Sequence, residues 1–145
     1  MKKLMICIPI MILLFSCGVV SIEKPEGFAE IESGRIYRSV SPEGLPFRVR
    51  QFKNYPEQDI DFWSQALKVH LTQEGYQFIS ETEIDNDGRD IVCYEWGAPY
   101  GGDDYIYLTA VTVKNKKILV AEAAGEMKLF NKYRDAIIDS IKSLE

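Results

Sequence analysis

A chain of 145 residues, 46% of them hydrophobic and 27% charged, has the size and balance of one globular domain. Its formal charge of -5 becomes -7 once Lys2 and Lys3 leave with a leader segment, and so acidic a surface argues against general nucleic-acid binding. The three cysteines divide unequally: Cys7 falls in that leader and Cys17 at its end, so a mature chain processed at Cys17 would keep only Cys93 as a possible thiol, with no internal disulfide. Hydrophobic burial alone must hold the mature domain together.

Residues 1–16 open with Lys2 and Lys3 and continue as a short apolar run over residues 4–15. A bilayer-spanning helix needs about 20 apolar residues, so this run predicts a cleaved signal rather than a permanent span. It ends Leu14, Phe15, Ser16, Cys17, with an aliphatic residue three places before the cysteine and a small one directly before it. That ending resembles the bacterial lipobox, with Phe15 its loosest match. The resemblance implies cleavage before Cys17, acylation of its sulfur, and residence in the cell envelope. Two or three acyl chains would make the attachment permanent, since each buried methylene contributes about 0.8 kcal/mol. Because Gly18 rather than aspartate follows the cysteine, the same resemblance implies the outer membrane if the host has two membranes.

Residues 17–34 hold Pro25, Gly27 and Gly34 with scattered glutamates and little periodicity, and are expected to form a tether spanning on the order of 20 to 25 Å. Residues 35–145 are expected to be the domain. Residues 35–41 and 47–53 predict a hairpin around Pro42, Gly44 and Pro46. After Pro56, Asp59 opens a helix in which Ile60, Trp63, Leu67 and Leu71 recur at helical spacing, and Gly75 closes it. Residues 76–84 and 89–96 alternate at period two on either side of Asn86, Asp87 and Gly88, a hairpin-turn signature. Residues 104–113 and 118–123 predict a further hairpin, and a last helix begins near Glu126 with Phe130, Ile137, Ile141 and Leu144 on its apolar face. The expected class is α+β, in the order β-β-α-β-β-β-β-α, with one largely antiparallel sheet covered by two helices.

That order, and the pattern Phe130, Tyr133, Ile137, Ser140, Leu144 on a closing helix that follows a strand, resemble the PsbP-like fold. The resemblance covers residues 35–145. It implies an accessory, assembly or docking domain, as in the photosystem subunits that share the fold, and it transfers no binding residue.

Residues able to carry chemistry are few. His70 and Cys93 are the only imidazole and the only mature thiol; they read as a helix-border histidine and a small core residue rather than a nucleophile and its base. Zinc would need four nitrogen or sulfur ligands at short spacing, which the chain lacks, and no cofactor is expected. The acidic alternation from Glu83 to Gly88 begins like a calcium loop but places Tyr94 where the bidentate glutamate belongs, so a plain turn is expected. The stretch from Glu95 to Asp104 is read as a long loop joining two strands, and Trp96, Tyr100, Asp103 and Asp104 are its candidate ligand- or cation-binding residues. Tyr94 with Trp96, and Tyr105 with Tyr107, offer aromatic strand faces that helix packing is expected to consume. Arg35, Arg38, Arg48, Arg50 and Lys53 make the first hairpin basic; a charged sheet edge is favoured over contact with anionic head groups.

The sequence therefore points to a non-catalytic module, held to the membrane by lipid on Cys17, that docks to or helps assemble an envelope complex through a protein partner. The alternative is a small-ligand or cation binder using the stretch from Trp96 to Asp104. A hydrolase built on Glu95, Asp103 and Asp104 alone is the remaining possibility by residue type.

Overall fold

The computed structural model describes residues 18–100 and 103–145, leaving aside the side chains of Pro99, Tyr100 and Asp103. Seven strands and two helices follow one another as β1 (Ala29–Glu32), β2 (Ile36–Val40), β3 (Pro46–Lys53), α1 (Ile60–Gln73), β4 (Gln77–Asn86), β5 (Arg89–Tyr100), β6 (Asp103–Lys114), β7 (Lys117–Glu126) and α2 (Met127–Lys142). The strands form one antiparallel sheet in the order β1-β2-β3-β7-β6-β5-β4. The α+β class, the antiparallel sheet and both helices are as expected. Among the described residues no helix is long and apolar enough to cross a membrane.

Strand alternation sends successive side chains to opposite faces, and each face has its own helix. Leu119, Ala121 and Ala123 of β7 join Leu108, Ala110 and Cys93 beneath Phe130, Ile137 and Ile141 of α2. Three alanines in that layer let α2 approach closely. Val92, Tyr94, Trp96, Val111 and Ile118 face the other way and pack against Trp63, Leu67 and Leu71 of α1. Local chemistry sets the boundaries of α1: Asp59 accepts from the Phe62 amide as N-cap, and Gly75 has φ +90° just beyond its end. The β4–β5 turn places Asp87 and Gly88 at φ 50° and 79°, the left-handed pair that a two-residue hairpin needs, while Asp85 Oδ1 accepts from the Gly88 amide.

Two expectations are corrected. Residues 20–34 belong to the domain instead of tethering it: Val20 and Phe28 are 5% and 3% exposed in the α2-side core, and Phe28 meets Tyr133 edge to face at 5.2 Å. Ser21 and Glu145 exchange backbone hydrogen bonds, and residues 29–32 add β1, a strand absent from the expected order. The first hairpin is also no sheet edge, because β2 and β3 lie inside the sheet and β1 and β4 form its edges.

Candidate functional site

Helix α1 packs over β5 and β6 with Ile118 and Val120 of β7 at its margin, and among the described residues no helix covers the rest of this face, over β2, β3 and the second half of β7. A hollow of about 490 Å³ lies there, walled by Ile31, Val40 and Tyr76 and bordered by Arg38, Arg48 and Tyr107, with Glu122 in its floor. Sheet register places the charges. Arg38 is opposite Arg48 and Arg48 opposite Glu122, so three neighbouring strands present a guanidinium, a guanidinium and a carboxylate in one row.

Glu122 is the centre of this arrangement, its side chain 10% exposed against 40% for Arg48 and 36% for Arg50. Arg50 grips it with two bonds, Nε to Oε2 at 3.0 Å and Nη2 to Oε1 at 3.0 Å, the fork geometry that matches a carboxylate. Arg48 reaches Oε2 through Nε at 3.1 Å and Nη2 at 2.9 Å. Tyr107 closes the group by donating its hydroxyl to Oε1 at 2.6 Å. Burial, then that bond to Glu122 and the carboxylate's charge, push the Tyr107 phenol well above its ordinary range, so it stays a donor at any physiological pH. The carboxylate thus fixes both guanidinium groups while their remaining N–H groups contact no described acceptor. Arg38, 49% exposed, stands 3.6 Å from Glu32 at the rim. Such a surface offers preset donors above an apolar wall, which suits a carboxylate carried on an apolar or extended segment.

The residues singled out from sequence are placed differently. Strands β5 and β6 pair without interruption through Gly97–Ile106, Ala98–Tyr105, Pro99–Asp104 and Tyr100–Asp103, so the stretch expected to be a long loop is strand as far as Tyr100 and again from Asp103. Trp96 is fully buried against Tyr94 and Phe78, and its indole N–H is spent on Thr109 Oγ1 at 3.1 Å. Asp104 is exposed beside Lys128 and Asn131 at the start of α2. The Tyr100 and Asp103 side chains and Cys17 lie outside the described residues. Glu95 faces α2 and pairs with Arg134 at 2.9 Å, on the side of the sheet opposite Trp96. His70 is exposed on α1, whereas Cys93 is buried under α2, so the sheet stands between the two. Burial and the neighbouring Glu95 push the Cys93 thiol up to about 12.

Sequence reasoning did not find the Glu122 cluster, although it marked Arg38, Arg48 and Arg50. One signal was available: Glu122 interrupts an otherwise apolar strand between Ala121 and Ala123.

By sequence, the chain matches no protein-family model and no curated protein. By structure, it is similar to the cyanobacterial PsbP protein, CyanoP, of Synechocystis, at TM-score 0.60 and 14% identity over 91% of this chain and 98% of that one. The fold is PsbP-like. A protein of unknown function from Pseudomonas aeruginosa, described as a putative regulator, superposes at TM-score 0.60 and 9% identity over 87% of this chain and 81% of its own. A Bacteroides thetaiotaomicron protein matches at TM-score 0.54 and 16% identity over 87% of this chain, which spans 44% of that protein. Identities this low carry the fold and no site residue.

Proposed function

We propose that this chain is a lipoprotein, acylated on Cys17, that carries a non-catalytic docking module of a cell-envelope complex, at the outer membrane where the host has two. The observation that carries the docking reading is the part of the sheet face that no described helix covers, where Glu122 holds Arg48 and Arg50, whose other N–H groups meet no described acceptor, beside an apolar hollow. The partner this surface suits is a protein segment bearing carboxylates. Absence of catalysis is supported by the separation of His70 from Cys93, by a thiol kept protonated, and by the commitment of Glu95 to Arg134. The anchor is tested by metabolic labelling with a fatty-acid probe: Cys17→Ser should lose the label and accumulate as precursor, and label that persists would remove the lipoprotein reading.

A second reading is favoured by the size of the same hollow, since about 490 Å³ also falls in the range of small-ligand sites. A small anionic ligand would then replace the protein segment. Thermal shift separates the two, because a ligand that binds the native state raises the melting temperature by mass action whereas a pure docking module stays flat against a panel of small carboxylates.

A further inference from the structure

The end of the sheet where residue 18 meets the domain is ringed by lysines. Gly18 lies against Lys117, its carbonyl accepts from Gln51 Nε2, and Gly18 and Val19 line a hollow with Lys114, Lys116 and Lys117. Register brings in a fourth lysine: Lys53 on β3 is opposite Lys117 on β7, which is opposite Lys114 on β6. Strand alternation sends Lys53, Lys114 and Lys117 to the same side as Gln51, which is the side of Gly18. Three like charges directly opposed on neighbouring strands weaken a sheet, and none of the four lysines makes an ion pair with a described residue. Glu145 is the single acidic side chain lining this hollow. Tyr55, 85% exposed, follows Asn54, whose amide is bonded to the Lys116 carbonyl, and Val19, which lines the hollow, is 60% exposed.

This cation cluster is left without an ion-pair partner among the described residues, and it surrounds the residue next to Cys17. We infer that this lysine-ringed end is the membrane-facing surface of the domain, and that it binds anionic lipid headgroups of the leaflet that holds the anchor. The inference rests on the acylation of Cys17 and adds an orientation to it. Lysines within a Debye length of an anionic leaflet are drawn to it, and a tyrosine and a valine at that level suit the headgroup boundary. The arginine-lined hollow lies on the other face of the sheet, toward its opposite end, and so stays clear of the bilayer for a partner.

The test uses the acylated full-length product in liposomes of phosphatidylcholine alone or with one third phosphatidylglycerol, labelled with a membrane-impermeant amine reagent and read by peptide mass spectrometry. Intact mass first reports acylation of Cys17. Labelling of Lys53, Lys114, Lys116 and Lys117 should fall several-fold in the anionic liposomes and recover in high salt, while Lys128, exposed at the opposite end of the sheet, keeps the same labelling throughout. In the Lys114→Gln, Lys116→Gln, Lys117→Gln variant, Lys53 should label equally in both liposomes. An acylated chain whose four lysines label alike in both would overturn this orientation and leave the anchor standing; an unacylated chain would overturn both.

Discussion

Tyr107 donates its hydroxyl to Glu122 at 2.6 Å from the neighbouring strand, completing a carboxylate already held by two arginines. Hydrogen bonds to charged groups contribute about 1.5 to 3 kcal/mol, and this donor is only partly exposed. Tyr107→Phe keeps the ring against Tyr76 and removes only the hydroxyl, so urea denaturation should show a loss within that range with an unchanged m-value. A loss below about 0.5 kcal/mol would mean that the arginines satisfy Glu122 without the tyrosine.

The amino-terminal segment should matter as much as a core helix residue. A domain that begins at Arg35 loses Val20, Phe28 and the backbone pairing of Ser21 with Glu145, and it uncovers Tyr133. Removing a buried phenylalanine side chain alone costs about 3 to 5 kcal/mol. The piece from Gly18 should therefore melt cooperatively, and the piece from Arg35 should melt far lower or fail to fold. Equal melting temperatures by circular dichroism would return residues 18–34 to the role of a tether.

Cys93 supplies the pH prediction. Its folded-state value of about 12 lies above the ordinary thiol value of 9.0, so the native state keeps a proton that the unfolded chain gives up. Stability from this group is complete below the unfolded value and declines as pH rises from about 9 toward 12, by up to about 1.4 kcal/mol per pH unit. Tyr107 adds the same direction at higher pH. Denaturation midpoints should fall between about pH 9 and 10, the first unit of that window, and Cys93→Ala should flatten the decline. A slope identical in the variant would assign it entirely to the tyrosines.

Gly125 is tightly confined. A Cβ built there would collide with Cδ1 of Leu45, a side chain with no exposed surface in the α2-side core. Gly125→Ala should therefore cost about 1 to 3 kcal/mol, as overpacking does, despite the gain in backbone rigidity. The double variant Leu45→Ala, Gly125→Ala should lose less stability than the two single losses added together, and a strictly additive double variant would place the strain elsewhere.

What was legible from sequence follows the range of the forces involved. The stripe Ile60, Trp63, Leu67, Leu71, the Asp59 cap and the Asp87–Gly88 turn are local, and all three are found where periodicity and turn chemistry put them. Val20 and Phe28 escaped because two apolar residues eight positions apart make no period, and their burial depends on α2 far along the chain. Gly97 was read as loop for its residue type, yet it sits in continuous pairing, where a Cβ would meet Gln77 at ordinary contact distance. Glu122 and its arginines are separated by 74 and 72 residues, so only sheet register joins them. The lysines around Gly18 are gathered from three strands in the same manner.

The most direct test of the account is photo-crosslinking in intact cells from a benzoylphenylalanine placed at Val40, on the wall of the arginine-lined hollow. A discrete protein adduct through an acidic segment is expected, weakened several-fold in the Arg48→Lys, Arg50→Lys variant, which keeps charge facing Glu122 but gives up the spare guanidinium donors. With the anchored protein present at its normal level, absence of an adduct at Val40, or an adduct unchanged by the arginine substitutions, would contradict it.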